Sequence, residues 1–197
     1  MTPHLILIHG LAESGKSTLA KHLIGKHGYR LVKVADPLKN MIRSLLRDAG
    51  IDAETIERCV EGDMKSVPLP QLCGHTTRHA MQTLGNEWRD LLSDKLWSYI
   101  AEGKIEQLLA NGAKIVVDDI RYPHELEVLG RFNPLKWVIT RGSLHFEPYG
   151  EDRHPSERPM PVSLFRSHIV NDGSKGELYS YADSLLEAFE HASGAAA

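Results

Sequence analysis

The stretch LILIHGLAESGKST, residues 5–18, decides the fold. It begins with a short apolar run at 5–8, which is typical of a buried parallel strand. Residues 10–17, GLAESGKS, then satisfy the spacing G-x-x-x-x-G-K-[S/T] of a phosphate-binding loop. Apolar residues recur at helical spacing as far as His27, and Gly28 ends the predicted helix. A strand, the loop and a helix, in that order, form the structural context that this motif requires.

The spacing of the motif suits the chemistry of phosphate groups. Its glycines let backbone N–H groups turn inward around phosphate oxygens, and the N-terminus of the following helix adds its positive end. We expect Lys16 to reach the β- and γ-phosphates of ATP and to stabilise transition-state charge, and the Ser17 hydroxyl to bind Mg²⁺. The predicted ATP- and phosphate-binding residues are Gly10, Glu13, Ser14, Gly15, Lys16, Ser17 and Thr18.

The remaining sequence alternates between predicted strands and predicted helices. A second strand is expected at 31–34, followed by a helix that opens at Pro37 and ends at Gly50. This alternation indicates an α/β fold, with a parallel sheet covered by helices on both faces. Further helices are predicted at 52–61, 77–92, 93–110, 123–130 and from 174 onward, and further strands at 115–117, 135–140 and 168–170.

We predict one domain over residues 1–197, with two insertions. Residues 141–161 contain four prolines and many charges without an apolar period, so a mobile flap is expected there. The stretch 62–75 also carries prolines and glycines and is predicted to be a loop. The last residues, SGAAA at 193–197, show no packing pattern and are predicted to be a frayed tail.

Composition excludes several classes of protein. The 197 residues are 42% hydrophobic and 25% charged, which excludes a disordered tail or a collagen-like fibre. A net charge of −3 argues against nucleic acid and anionic lipid as partners. The two cysteines are too few for a disulfide framework and fit a reducing compartment. No apolar run approaches the roughly 20 residues of a membrane span, so we expect a cytoplasmic protein.

Arginine placement favours a kinase over other nucleotide-binding proteins. The sequence has no Asn-Lys-x-Asp guanine-recognition motif, and its length leaves little room for the extra domains of a motor. Transfer between two phosphates gathers negative charges that arginines neutralise. Together with the loop, the arginines predict an acceptor site for an anionic substrate. They fall at loop ends, at a helix start or in the flap: Arg78, Arg89, Arg121, Arg141 and Arg153.

Several segments resemble bacteriophage deoxynucleoside monophosphate kinases, over nearly the whole chain. They are the phosphate loop, ADPLK at 35–39, RHAMQTLGNEWR at 78–89, VDDIRYPHE at 117–125, HPSE at 154–157 and NDG at 171–173. The loop is specific to the superfamily only. The patterns R-x-x-x-Q-x-x-G-x-E and D-x-R-x-x-x-E are the part specific to this family.

The resemblance implies a three-layer α/β/α fold with a five-stranded parallel sheet. It also implies a nucleoside-monophosphate-binding insertion at about 36–92 and a lid at 141–161. The implied reaction converts ATP and a deoxynucleoside monophosphate into ADP and the diphosphate, with Mg²⁺. His79 and Ala80 stand where we would expect larger apolar or basic residues, which leaves the preferred base open.

Roles in catalysis follow from the same resemblance. Asp118 and Asp119 end an apolar strand, and the family pattern assigns Asp119 to Mg²⁺ beside Ser17, while Asp118 stays an alternative. Arg121 is expected to reach the transferring or acceptor phosphate. The lid arginines, Arg141 and Arg153, are expected to close over ATP and exclude water.

The acceptor is expected to bind along one predicted helix. Arg78, Gln82 and Arg89 share a face at spacings of four and seven residues. Trp88 lies on the same helix, with packing in the core as its alternative role. The predicted substrate-binding residues are Asp36, Lys39, Arg78, Gln82, Trp88 and Arg89.

Other functions remain open at this point. One alternative is a P-loop kinase with another acceptor, such as phosphomevalonate or a hydroxymethylated pyrimidine in DNA. A kinase that acts on a base within DNA requires a stripe of basic residues to bind the nucleic acid, and the negative net charge does not favour such a surface. A second alternative is a nucleotide-dependent regulator without transfer activity. Oligomeric state is also open, with a homodimer among the alternatives.

Overall fold

Five short strands pair in parallel to form the central sheet of the computed structural model, which describes residues 3–142 and 158–194. The sheet order is β2-β3-β1-β4-β5. Every residue of the first strand is buried, as expected for a parallel strand covered on both faces. The strands are β1 (Leu5–His9), β2 (Tyr29–Val32), β3 (Lys114–Ile120), β4 (Leu135–Thr140) and β5 (Ser167–Val170).

Seven α-helices and three short 3₁₀ turns connect these strands within the described residues. The 3₁₀ turns are Pro70–Leu72, Leu129–Phe132 and Val162–Leu164. The helices are α1 (Lys16–His27), α2 (Asp36–Asp48), α3 (Ala53–Val60), α4 (Thr77–Leu91), α5 (Leu96–Ala110), α6 (Pro123–Val128) and α7 (Lys175–Gly194).

Side chains fix several of the helix ends. Asp52 accepts a hydrogen bond from the Thr55 backbone N–H at 2.9 Å and so caps α3. Ser174 and Glu177 exchange hydrogen bonds of 3.2 and 2.7 Å at the start of α7 and so form a capping box. Gly28 ends α1 with a φ of 71°, a conformation that glycine adopts without steric cost.

The chain divides into two compact units. One combines Met1–Val34 with Ala101–Ala197 and contains the whole sheet, and the other is Ala35–Ile100. The core of the first unit consists of sheet residues packed against apolar side chains of α1 and α7. The second unit has its own core, built from α2, α3 and the residues that lead into α4. The region predicted to bind the acceptor, 36–92, falls inside the second unit.

The predicted α/β fold with a five-stranded parallel sheet is confirmed, but two strands differ in extent by more than one residue. The second strand is Tyr29–Val32 rather than 31–34. Tyr29 is buried and donates its hydroxyl to the Pro3 carbonyl at 2.8 Å, whereas the Val34 N–H bonds to the Asp119 carboxylate instead of the sheet. The third strand continues through both aspartates to Ile120.

Two helices also differ from their predicted extents. The fifth helix begins at Leu96, three residues later than predicted, because Ser93 accepts the Leu96 N–H in a turn of its own. The helix expected at 123–130 ends at Val128 and continues as a 3₁₀ turn. Most of the predicted lid, 141–161, and the end of the predicted tail lie outside the described residues. Among the residues that are described, no helix is long and apolar enough to cross a membrane.

The core of the first unit provides a test with a matched control. Leu23 on α1 is fully buried, whereas its neighbour Ile24 is 36% exposed. We expect Leu23→Ala to lower the free energy of unfolding by about 2–5 kcal/mol, because it leaves a cavity in a packed core. Ile24→Ala should lower it by less than about 1 kcal/mol. Urea denaturation followed by circular dichroism measures both, and equal losses would contradict this description of the core.

Candidate nucleotide-binding site

The phosphate loop lies between the last residue of β1 and the first residue of α1, as the sequence predicts. Its backbone enters the left-handed region twice, at Glu13 with a φ of 64° and at Gly15 with a φ of 106°. These turns place successive backbone N–H groups around the N-terminus of α1. Such a concave row of N–H groups at a helix N-terminus is suited to binding phosphate oxygens.

Neighbouring strands leave no room for side chains at the two motif glycines. A Cβ at Gly10 would contact the Ile139 carbonyl and would lie 2.6 Å from the Ser14 hydroxyl. A Cβ at Gly15 would contact the amide nitrogen of Asn171. Both positions therefore require glycine because the chain at the end of β4 and after β5 packs against them. This steric reason adds to the need for backbone N–H groups that can face phosphate.

Asn171 directly supports the loop, a role that sequence analysis did not assign. Its side-chain amide is buried and donates a hydrogen bond to the Ser14 carbonyl at 2.8 Å. The next residue, Asp172, accepts the Gly142 N–H at 2.5 Å. Both residues belong to the NDG segment at 171–173. That segment contributed to the family resemblance but predicted no role for either residue. Their position at the carboxyl end of β5, beside the loop, is where ligands bind in open α/β sheets.

Lys16 is half-buried beside the loop and carries a perturbed charge. Its ammonium group donates to the Leu11 carbonyl at 2.6 Å. Burial lowers the pKa of Lys16 to about 8, and the positive charge of Arg121 acts in the same direction. The carboxylates of Asp118 and Asp119 oppose this shift. A bound phosphate would restore the charged form, so the site favours an anion next to this lysine.

The two aspartates at the end of β3 have different partners. Asp118 is 3% exposed, and its Oδ2 accepts a hydrogen bond from the Ser17 hydroxyl at 3.1 Å. Its other oxygen, Oδ1, is buried and accepts no hydrogen bond from the described residues, while Lys33 Nζ lies 3.9 Å away. Asp119 instead accepts the Val34 backbone N–H at 3.0 Å.

The structure therefore brings Asp118 to Ser17, although the family pattern favours Asp119. Successive side chains of a strand point to opposite faces, so only one of the two aspartates can face the loop. A hydroxyl next to a carboxylate with an unused buried oxygen is the kind of donor set that Mg²⁺ takes in proteins. Ser17 and Asp118 thus fit the divalent cation that ATP chemistry requires.

A cavity of about 280 Å³ adjoins the loop. Loop and helix residues from 13 to 18 form one side, and residues around the ends of β4 and β5 form the other. Three of the lining side chains are cationic: Lys16, Arg141 and Lys175. These three cations outnumber the one acidic residue of the lining, Glu13, and Leu178 adds an apolar surface. Such a cavity suits a ligand with an anionic part and an uncharged part.

The three arginines that the sequence assigns to catalysis lie in different parts of the chain. The side chain of Arg121 is exposed just before α6, and its backbone N–H donates to the buried Glu125 carboxylate at 2.6 Å. Arg141 is exposed, follows β4 directly and lines the cavity. Arg153 lies outside the described residues.

His9 connects the strand before the loop to the end of the predicted lid and to the residues that follow it. It is buried, and one ring nitrogen lies 2.8 Å from the Ile120 carbonyl. The other ring nitrogen accepts the Met160 N–H at 3.1 Å, and the ring stacks on Phe165. This pattern requires a neutral imidazole with its proton on Nδ1. The sequence pattern around His9 gives no signal for this role.

The predicted substrate-binding residues lie in the second unit, on two helices that pack against each other. Asp36 begins α2, and Lys39 on the same helix bonds to Glu61 at 2.8 Å. Arg78, the second residue of α4, is exposed and donates to the Ser66 hydroxyl at 3.3 Å.

The remaining predicted residues of α4 are partly buried. Gln82 is half-buried, and Arg89 donates to the Gly85 carbonyl at 3.1 Å. Trp88 stacks on Trp97 with ring centroids 5.8 Å apart, and Trp97 also bonds to the Gly85 carbonyl. This contact gives Trp88 the packing environment that was its alternative role.

A parallel sheet with this loop between its first strand and first helix is typical of nucleotide-binding proteins of the P-loop class. A curated protein of Acanthamoeba polyphaga mimivirus, named "Putative deoxynucleotide monophosphate kinase", is 26% identical over 198 residues. The match covers 93% of this chain and 96% of that protein. This similarity confirms the resemblance to deoxynucleoside monophosphate kinases and supports a kinase.

Solved structures give more distant matches. A sugar kinase from Janibacter sp. HTCC2649 is 14% identical, with a TM-score of 0.48 and 95% of each chain covered. The protein TT1252 from Thermus thermophilus is 19% identical, with a TM-score of 0.46 and coverage of 95% of this chain and 98% of that one. No protein-family model matches the chain.

The pKa of Lys16 predicts how nucleotide affinity depends on pH. Because this pKa is near 8, affinity should be constant below about pH 7. At higher pH the affinity should fall, and above pH 8 the fall should approach about tenfold per pH unit. The reason is that phosphate binds the protonated lysine and the free protein loses that proton. Lys16→Arg keeps the charge and should remove the fall. Titration calorimetry with ATP from pH 6.5 to 9.5 measures both proteins, and a flat wild-type profile would disprove the assignment.

Proposed function

We propose that this protein transfers the γ-phosphoryl group of ATP to a deoxynucleoside 5′-monophosphate, giving ADP and the deoxynucleoside diphosphate. The observation that carries the proposal is the phosphate loop with Lys16 beside it and Ser17 bonded to the buried Asp118. The similarity to a protein named as a deoxynucleotide monophosphate kinase supports the choice of acceptor.

ATP binds in this proposal along the loop and the adjoining cavity. The backbone N–H groups from 13 to 18 bind the phosphates, and Lys16 neutralises the charge that develops on the transferring group. Arg141 and Lys175, which line the cavity, add positive charge around the donor. Leu178 supplies an apolar surface for an uncharged part of the nucleotide.

A divalent cation, which we propose to be Mg²⁺, completes the donor site. When bound, it neutralises charge on the phosphates and orients them for transfer. Ser17 and Asp118 would hold it, because the hydroxyl and the unused carboxylate oxygen are hard oxygen donors next to the loop. Asp119 then has a positioning role, since it fixes the backbone that follows β2.

For the acceptor we retain the residues that the family resemblance assigns. Arg78 is proposed to bind the acceptor phosphate, Gln82 the base or sugar, and Asp36, Lys39, Trp88 and Arg89 to complete the site. The acceptor phosphate is already largely dianionic at neutral pH, so it needs no general base. Positioning and charge neutralisation by Arg121 and the lid arginines Arg141 and Arg153 are sufficient in this scheme.

The first experiment identifies the acceptor. ADP release is measured from ATP and Mg²⁺ with a panel of ribo- and deoxynucleoside monophosphates, each against a blank without acceptor. We expect strong stimulation by one or more deoxynucleoside monophosphates. Stimulation only by a phosphorylated metabolite, or only by DNA with a modified pyrimidine, would replace the proposed acceptor. ATP binding without transfer to any acceptor would point to a regulator.

A pair of variants distinguishes the two aspartates. Asp118→Asn should lower turnover by about two orders of magnitude or more and raise the Mg²⁺ concentration needed for half-maximal rate, because it removes the carboxylate beside Ser17. Asp119→Asn should stay close to wild type, since an amide oxygen still accepts the Val34 N–H. Steady-state rates over a range of Mg²⁺ concentrations measure both, and the reverse pattern would restore the family assignment of Asp119.

A further inference from the structure

A cluster of two histidines and one aspartate joins the first and last helices, away from the residues assigned to the reaction. His22 and His27 lie in the last two turns of α1, and Asp183 lies on α7, which packs against α1. The Nε2 atoms of His22 and His27 lie 2.8 and 2.6 Å from the same oxygen, Oδ1, of Asp183. Both rings therefore converge on one point of one carboxylate.

The geometry of this cluster is suited to a metal ion. The two Nε2 atoms and the carboxylate oxygen all lie within 4.8 Å of one another. A tetrahedral zinc site, with bonds of about 2.0–2.2 Å to nitrogen and oxygen, holds its donor atoms about 3.3 Å apart. The Nε2–Oδ1 distances, 2.8 Å for His22 and 2.6 Å for His27, are thus within about 0.7 Å of that spacing. No other group of three such ligands occurs among the described residues.

The environment of the three side chains prepares them for coordination. The ring of His22 stacks on Tyr179 with a centroid distance of 4.2 Å and an interplanar angle of 4°, which fixes its orientation. The side chains of His22, Asp183 and His27 are 11%, 19% and 23% exposed, so an ion has access while the ligands stay ordered.

The two oxygens of the Asp183 carboxylate have different partners. Both imidazoles lie at Oδ1, at 2.8 and 2.6 Å. The ammonium of Lys26 bonds at 2.8 Å to the other carboxylate oxygen, Oδ2. It is an exposed side chain on the solvent side, and it leaves Oδ1 to the two imidazoles.

We propose that His22, His27 and Asp183 form a binding site for a divalent transition metal of the zinc type. The ion would take Nε2 of both histidines and Oδ1 of the aspartate, with water in the fourth position. Imidazole nitrogens with one carboxylate favour zinc, cobalt or nickel over Mg²⁺, which prefers oxygen ligands only. Such an ion would clamp α7 to α1, the helix that begins with Lys16 of the phosphate loop.

This inference is independent of the proposed kinase reaction, and its test needs no activity. Purified protein without nucleotide is titrated with Co²⁺, whose visible absorption intensifies in a four-coordinate site, and with Zn²⁺ by calorimetry. We expect one ion per chain in the wild type. At a free Zn²⁺ concentration 100-fold above the dissociation constant, the melting temperature should rise by roughly 5–10 °C.

Matched variants locate the ion. His27→Ala and Asp183→Asn should each weaken metal binding at least about tenfold and remove the stabilisation. His191→Gln is the control, because it changes an exposed histidine on the same helix as Asp183 and should bind as the wild type does. Asp118→Asn should also retain the cobalt absorption, which separates this site from the phosphate loop. Circular dichroism of the metal-free variants checks that they are folded.

Three outcomes would overturn the proposal. The first is the absence of Co²⁺ or Zn²⁺ binding to the folded wild type. The second is binding that survives in both His27→Ala and Asp183→Asn. The third is binding that Asp118→Asn abolishes, which would assign the ion to the phosphate loop instead.

Discussion

The close approach of two strand ends to the phosphate loop is the constraint on which the site depends. Gly10 lies against the Ile139 carbonyl, and Gly15 lies against the side chain of Asn171. Any larger residue at either position would push the loop away from β4 or from the chain that follows β5. The loop is thus held in shape by the sheet order, which places β1 beside β4 and β4 beside β5.

The same packing produces the electrostatics of the site. Burial lowers the pKa of Lys16, and one buried oxygen of Asp118 accepts no hydrogen bond from the part of the chain that the structure describes. Each group is costly to bury by itself, and each would be stabilised by the opposite charge of a bound ligand. The negative charge of a phosphate would stabilise the Lys16 ammonium group, and a cation would stabilise the Asp118 carboxylate.

The sequence was sufficient to predict the fold and the loop because both depend on local patterns. Short apolar runs define the strands, and the motif at 10–17 has fixed spacing. It could not distinguish Asp118 from Asp119, since that choice depends on which face of β3 meets Ser17. The second strand was misplaced because Tyr29 is buried through a hydrogen bond to Pro3, a contact that no periodicity reveals.

The sequence pattern also could not predict contacts between segments that lie far apart along the chain. Asn171 supports Ser14 from 157 positions away, and Asp183 meets His27 from 156 positions away. Neither pair has a spacing that propensity or periodicity can detect. His9 likewise precedes the motif by one residue, yet its partners, Ile120 and Met160, come from other parts of the chain.

Glu13 shows how the loop is prepared before any ligand arrives. A residue other than glycine at a φ of 64° costs roughly 1–2 kcal/mol, and the folded loop already holds it there. A glycine at this position would relieve that strain but would give the unfolded chain more conformations to lose. Because the folded loop already holds this conformation, less ordering entropy would be lost when a phosphate binds, and more of the contact free energy would appear as affinity.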